Sequence, residues 1–440
     1  MEKLRLRSPL YAQIELTYAC NLACTHCYNE PRFSKKDDGT TELNVVKVER
    51  TPVERFKEIA KELARHDVFA VTLTGGEVFA VRDRLYSCLE TLATENVDVT
   101  INSNLTLVNE DDARRLRELK VVGIMTSIAS HDAETHDRIM QRKGSHEKTV
   151  RGTRLMMKNG IIVSANMVVS RHNISNVYET GIFAHGLGMN TFSAAQAVPS
   201  NSGGKMHLEH ALAKEHVLNY LEDLHRVRAD TGMFVRLTNP LPYCSVWEDR
   251  PHLRSLVESS TCTAGRSIIQ IDPNGNVKPC PMVNTGYGNI LEEGLETVWA
   301  RMEEWNEDKY VPETCQPCDL VEICRGACRA EAERMEGSLD KKHPYSVKPV
   351  KLDKKEFYNP LEVGTRIFTA RDLRAREERE GVYVLFARDR YLIASESAAR
   401  FISAVASRNG IVVDERLAAN TDAARMISTA LDSGILLKAS

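Results

Sequence analysis

From Tyr11 to about Asn239 short β-rich runs alternate with longer amphipathic segments, and this alternation restricts the fold more than any other feature of the chain. The expected strands are Gln13–Thr17, Ala70–Thr74, Asp98–Asn102, Val121–Ser127, Ile161–Val169 and Thr191–Ala194. Helical patterns lie between them over Pro52–His66, Arg82–Glu95, Glu110–Leu119, His146–Lys158 and Asn176–Gly186. Repeats of this kind imply parallel strands joined by right-handed crossovers, the α/β class. Six units fit a partial, TIM-like (β/α)6 barrel better than a closed ring of eight. Pro52 stands in the first turn of its helix, where a missing N–H costs nothing, and Ser34–Thr41 reads as a solvated loop. One long amphipathic helix is expected over Leu208–Ala229, and the two prolines of Thr238–Tyr243 mark a boundary.

A chain of 440 residues exceeds what one hydrophobic core serves. Three domains are expected: residues 1–240 as the barrel, 241–348 as a small cysteine-rich domain, and 356–440 as a cysteine-free α+β module. Charge is balanced, with 58 Lys and Arg against 61 Asp and Glu, so no global field favours nucleic acid. No apolar run approaches the roughly 18 residues needed to cross a bilayer, and Met1–Leu10 lacks the apolar stretch of a secretory signal. The expectation is a cytoplasmic protein with no nucleic-acid and no membrane partner. Its 11 cysteines, an odd and clustered set, then point to metal ligation before disulfides.

Cys20-x3-Cys24-x2-Cys27 directly follows the first strand, at a strand's carboxyl end, where α/β folds place active sites. Structural zinc prefers four ligands in paired hooks, and this loop offers three. Three thiolates on a four-iron cluster leave one iron open to a small chelating molecule. Thr74-Gly75-Gly76-Glu77 ends the next strand. There, glycines let backbone approach a ligand closely, and a carboxylate can accept hydrogen bonds from an ammonium group.

These motifs resemble the radical S-adenosylmethionine (radical SAM) superfamily. The resemblance implies that Cys20, Cys24 and Cys27 bind a [4Fe–4S] cluster, and that Gly75, Gly76 and Glu77 hold the methionine amine of SAM. His26 occupies the place of an aromatic residue that contacts adenine. Asn104, Ser127, Arg138 and Asn166 fall where relatives contact SAM, although Ser127-Ile128-Ala129-Ser130 departs from the usual Ser-Leu-Asp-Gly. In this superfamily a reduced cluster splits SAM, and the 5′-deoxyadenosyl radical removes hydrogen from an unactivated carbon. A flavodoxin- or ferredoxin-type donor supplies the electron.

Cys262-x12-Gly275-x4-Cys280, followed by Cys315-x2-Cys318-x5-Cys324-x3-Cys328, resembles the SPASM extension of such enzymes, which binds two auxiliary iron-sulfur clusters. The resemblance assigns Cys262, Cys280 and Cys328 to one cluster and Cys315, Cys318 and Cys324 to the other. No cysteine follows Cys328, so the family's seventh ligand is missing. The second cluster then has an open iron or a non-cysteine ligand from among Asp319, Asp340 and His343. Cys244 is a candidate to complete the first auxiliary cluster, and Cys88 reads as a buried core residue. Residues from about Pro360 resemble PqqD-like winged-helix modules that bind leader peptides. The pattern is two strands (Gly381–Phe386, Arg390–Ile393) and two helices (Ser397–Ser407, Asp422–Ser433).

The expected function is radical modification of a ribosomally made precursor peptide that carries a leader, by crosslinking, oxidation or decarboxylation. Two rivals stand beside it. One is a sulfatase-maturase-like or tetrapyrrole-modifying radical SAM enzyme. The other is a non-catalytic iron-sulfur or zinc-binding protein.

Overall fold

Period-two burial defines the strands. In Val163–Val169 the residues Val163, Ala165, Met167 and Val169 are buried while Ser164, Asn166 and Val168 are half-buried on the opposite face. The computed structural model describes residues 5–28, 33–35, 41–43, 51–199, 201–202, 205–206, 211–352, 362–387 and 390–438. The chain divides into two compact units, Met1–Lys351 and Leu352–Ser440.

The first unit is built on one nine-stranded sheet. Its strands are β1 (Tyr11–Glu15), β2 (Ala70–Thr74), β3 (Asp98–Asn102), β4 (Gly123–Ser127), β5 (Val163–Val169), β6 (Thr191–Gln196), β7 (Phe234–Leu237), β8 (Ile268–Ile271) and β9 (Val277–Lys278). Their order is β7-β6-β5-β4-β3-β2-β1-β8-β9. Every pairing is parallel except β8 with β9. The six expected strands are present. β1 sits two residues earlier than its pattern suggested, because Leu16 and Thr17 already belong to the turn that meets the loop after β2. β7 was not expected: four residues before a proline-rich segment give no legible period.

The crossover helices follow their apolar spacing. α1 (Val53–Arg65) buries Phe56, Ile59, Ala60 and Leu63, and Pro52 serves as its N-cap residue. α2 (Arg82–Ala93), α3 (Glu110–Glu118), α4 (Ala133–Met140), α5 (Ser145–Lys158), α6 (Val177–Gly186) and α7 (Lys214–Thr231) complete the layer. The long helix expected from Leu208 begins at Lys214, and residues 207–210 lie outside the described residues. Within the expected Ser34–Thr41 loop, Phe33–Lys35 pairs with Thr41–Leu43, and residues 36–40 lie outside the description.

The cysteine-rich segment enters the same sheet. β8 pairs with β1 from Tyr11↔Ile268 to Ile14↔Ile271 and turns back into β9. The expected Asp272-Pro273-Asn274-Gly275 turn closes that hairpin, with the Asp272 carboxylate accepting from the Asn274 and Asn276 backbone N–H groups at 2.8 and 2.9 Å.

The second unit has two three-stranded antiparallel sheets. In one, Arg366–Thr369 lies between Ile411–Val412 and Leu436–Lys438. In the other, Val382–Ala387 lies between Arg374–Arg379 and Arg390–Ser395. Helices Glu396–Ser407 and Thr421–Asp432 pack on a core that includes Ile367, Leu385, Ile402, Ile427 and Leu436. Among the described residues no helix is long and apolar enough to cross a membrane.

Asp112 is the polar pin of the first unit's helical layer. Its buried carboxylate accepts from Arg82 Nε and Nη2 at 2.9 and 2.8 Å, Tyr86 Oη at 2.8 Å and the Asn109 N–H at 3.0 Å. Asp112→Ala removes all four acceptor contacts and should cost ~2–3 kcal/mol, read as an earlier midpoint for the first unit in urea unfolding.

Candidate active site

The loops at the carboxyl ends of β1 to β6 converge on one cavity of about 320 Å³. The loop after β1 supplies Cys20, Cys24, His26 and Cys27, that after β2 Gly75 and Gly76, and that after β3 Ser103 and Asn104. Ser127 comes from the end of β4 and Asn166 from within β5. Of the SAM-contact candidates, His26, Gly75, Gly76, Asn104, Ser127 and Asn166 therefore face one space. Glu77 and Arg138 do not line it.

The two exceptions have physical reasons. Glu77 is 1% exposed, and its carboxylate accepts from the Phe79 N–H (3.1 Å), Ser103 Oγ (2.7 Å) and the Asn104 N–H (2.9 Å). It clamps the loop after β2 to the loop after β3. Arg138 lies on the solvent side of α4, its Nη2 donating to Thr135 Oγ1 at 3.3 Å. The inward face of that helix belongs to His136, Ile139 and Met140, three and four residues apart.

The two glycines, which line the cavity, also let backbone meet backbone. A Cβ on Gly76 would stand 1.8 Å from the Ala19 carbonyl oxygen, and one on Gly75 would stand 2.5 Å from that of Thr17. Gly75 also has φ +139°, a region side chains rarely adopt. The Gly76 N–H donates to Thr17 O at 2.6 Å and the Glu77 N–H to Ala19 O at 2.8 Å. The pair thus makes room for the backbone that carries Cys20.

From the other side, the cysteine loop rests on the end of α4. Ala23 N–H donates to Met140 O at 3.2 Å and Thr25 N–H to Ile139 O at 2.9 Å. Leu22 packs with Ala129, Ile139 and Met140, with Cys20 and Cys24 against them. Asn104 Nδ2 donates to Asn21 Oδ1 at 3.0 Å. Three half-buried thiols on one clamped loop, beside backbone and amide groups of an open cavity, suit a thiolate-bound cluster with a small polar ligand beside it.

Sequence reasoning missed part of the wall. Gln196, Thr238, Asn239, Pro281 and Met282 also line the cavity. Thr238 Oγ1 donates to Ala194 O (3.0 Å) and to Asn166 Oδ1 (3.1 Å). Recognition of β7 as a strand would have placed Thr238 and Asn239 at a strand end. Pro281 and Met282 follow Cys280 directly, so the cysteine-rich segment closes the cavity.

Seven of the remaining eight cysteines form two sets. Cys262, Cys280 and Cys328 influence one another electrostatically. Cys315, Cys318 and Cys324 line a separate pocket, and Cys244, expected with the first set, lines this second one. Burial pushes the Cys280 thiol up to about 12 and the Cys324 thiol to about 11. Cys328 is raised as well, by burial and then by Glu331. Such thiols stay protonated at neutral pH unless a cation binds them.

Among the described residues, no three Cys, His, Asp or Glu side chains close around a single-ion centre. Thiolates of a multi-iron cluster bind different irons and stand farther apart than ligands of one ion. Cys88 is buried in α2, its thiol pushed up to about 12 by burial.

Gly76→Ala should cost ~3 kcal/mol or more and lower iron uptake by the Cys20 loop. Gly186→Ala, where an added Cβ meets nothing within 4 Å, should leave both the melting temperature and iron content unchanged. His136 is buried and held down to about 3, first by burial and then by His146. The unfolded chain therefore takes up the proton first as pH falls through about 6.5, and stability drops from there toward pH 3. His136→Gln should flatten the fall in melting temperature between pH 7 and pH 5.

Two family models match the chain: the radical SAM superfamily over residues 14–181 and an iron-sulfur cluster-binding domain, SPASM, over residues 262–319. Mycofactocin maturase MftC of Mycobacterium tuberculosis is 28% identical over 342 residues, covering 74% of this chain and 79% of the relative. The antilisterial bacteriocin subtilosin biosynthesis protein AlbA of Bacillus subtilis is 27% identical, over 66% of this chain and 59% of its own. An AdoMet-dependent heme synthase of Oleidesulfovibrio alaskensis is 24% identical, over 74% and 83%. Among solved structures, Streptococcus suis SuiB superposes with a TM-score of 0.59 at 17% identity, over 78% of this chain and 77% of SuiB, a likeness of fold. The chain belongs to the radical SAM superfamily and is an enzyme with a SPASM iron-sulfur domain.

Proposed function

We propose that this enzyme matures a ribosomally made precursor peptide by removing hydrogen from an unactivated carbon. The observation that carries the reading is the shared cavity: one space is lined both by the Cys20–Cys27 loop and by Pro281 and Met282, the residues directly after Cys280. A substrate there sits between the initiating site and the cysteine array. Relatives named for mycofactocin maturation and for bacteriocin biosynthesis support the same reading, and SuiB has been solved bound to a precursor peptide.

In this reading Cys20, Cys24 and Cys27 hold a [4Fe–4S] cluster. Gly75, Gly76, Asn104, Ser127, Asn166 and His26 form the surface on which SAM lies. The two outer cysteine sets hold two auxiliary clusters. Bound together, the cluster and SAM supply a 5′-deoxyadenosyl radical, with the electron delivered by a flavodoxin- or ferredoxin-type protein. The chain's own part is positional. The Gly-Gly clamp fixes the cysteine loop, Glu77 fixes the loops on either side, and the half-buried face of β5 forms a floor that holds the target carbon and excludes water.

Residues 1–240, 241–348 and 356–440 divide this work into initiation, electron handling and peptide capture. Capture by strand addition suits the second unit, where among the described residues Arg390–Ser395 is an outer strand of its sheet. The heme synthase relative favours a tetrapyrrole substrate as the second reading.

Replacing Cys20, Cys24 and Cys27 by alanine should abolish 5′-deoxyadenosine release while auxiliary-cluster absorbance persists. Retained SAM cleavage in that variant would overturn the site assignment. Mass spectrometry of a short precursor peptide co-expressed with the enzyme should show a discrete mass change that is absent with the triple variant. An unmodified peptide together with turnover of a tetrapyrrole would favour the second reading.

A further inference from the structure

We infer that Cys244 is the fourth cysteine ligand of the auxiliary cluster held by Cys315, Cys318 and Cys324, which leaves the cluster of Cys262, Cys280 and Cys328 with one iron that no cysteine binds. The inference rests on the reading of both sets as iron-sulfur sites and adds which of them is closed. In sequence Cys244 lies far upstream of the Cys315 run, where a missing downstream ligand would not be sought.

Geometry brings it back. Cys244, Cys315, Cys318 and Cys324 line one pocket, which also contains Tyr243 and Val347. Three of the four sulfurs receive a backbone N–H: Val347 donates to Cys244 Sγ at 3.4 Å, Val350 to Cys318 Sγ at 3.3 Å and Tyr243 to Cys324 Sγ at 3.5 Å. Amides directed at sulfur stabilise thiolate charge and tune a cluster's potential. Tyr243 and Cys244 are neighbours, so a single turn offers a thiol to the pocket and an N–H to another of its sulfurs.

The three non-cysteine candidates are engaged elsewhere and do not line the pocket. Asp319 pairs with Lys351 at 3.1 Å. Asp340 is exposed and accepts from Ser338 Oγ at 2.5 Å. His343 is buried, with Nε2 3.2 Å from Glu331 Oε2 and Nδ1 accepting from the Tyr345 N–H at 3.3 Å. With Cys244 so placed, the remaining cysteines are the three of the SAM loop, the three of the first auxiliary set and Cys88, which is buried against Phe56 O. None is left to complete the first set. On binding, the Cys244 thiol gives its proton to solvent and its sulfur bonds to iron, with no change of oxidation state.

The test uses the full chain, reconstituted without oxygen, with Cys20, Cys24 and Cys27 replaced by alanine so that only auxiliary clusters contribute. In that background the open iron of the Cys262, Cys280 and Cys328 cluster already gives a [3Fe–4S] electron paramagnetic resonance signal on mild oxidation, and Cys244→Ala should lower iron per chain and add a second such signal to it. Cys244→Ser should keep the iron and shift the signal, which separates ligand loss from misfolding. When Cys315, Cys318 and Cys324 are also alanine, Cys244→Ala should change nothing further. When Cys262, Cys280 and Cys328 are alanine instead, its effect should persist. The reverse pattern, or silence of both Cys244 variants in every background, overturns the assignment. Zinc in place of iron in the unsubstituted chain overturns the cluster reading itself, a failure recognisable before any Cys244 variant is made.

Discussion

The close passage of Gly75 and Gly76 against Thr17 and Ala19 is the contact on which the active site depends. Two backbones meet there with no space for a side chain, and the hydrogen bonds across the gap fix where the strand β1 ends and the cysteine loop begins. Everything that positions Cys20, Cys24 and Cys27 is layered on that contact. Glu77 ties it to the loop after β3, and α4 supports the far side of the cysteine loop through two backbone hydrogen bonds. A clamp made of backbone loses nothing to rotamer freedom, so it can hold three thiols in register while the cavity beside them stays open.

A second constraint joins the cysteine-rich segment to the barrel. β8 extends the parallel sheet beside β1, the strand that leads into the Cys20–Cys27 loop. The Cys20–Cys27 loop and the array that begins at Cys262, distant in sequence, thereby flank neighbouring strands. Arg334 reinforces the junction by donating to Pro199 O at 2.8 Å and Met282 O at 3.0 Å. The cavity wall is completed by Pro281 and Met282, just beyond the hairpin that separates Cys262 from Cys280.

Charge inside the cysteine-rich segment is balanced by a buried cation. Arg329 is 3% exposed and donates to the carbonyls of Gly326, Ala327, Tyr310, Leu339 and Lys341. Cys262 and Cys328 of one set and Cys315 and Cys324 of the other all lie within its electrostatic reach. A guanidinium so placed lowers the cost of holding thiolates in a desolvated interior. Beside it, Glu331 accepts from Gln196 Nε2 at 2.7 Å, linking the helix after Cys328 to the cavity wall.

By itself the sequence determined the α/β class, six of the parallel strands and the grouping of thiols into a loop and an array. Strand period, turn chemistry at Asp272–Gly275 and cysteine spacing are local properties that survive without a fold. The tertiary structure decided what depends on close approach between distant segments. It assigned Gly75 and Gly76 to the neighbouring loop and turned Glu77 into a clamp. It set Arg138 on the solvent face of α4 and added Thr238 and Asn239 through an illegible strand. It also moved Cys244 from the set suggested by its position to the one its side chain reaches. Spacing along the chain fixes what a residue can bind, whereas the packing of separate strands fixes what lies within a few ångströms of it.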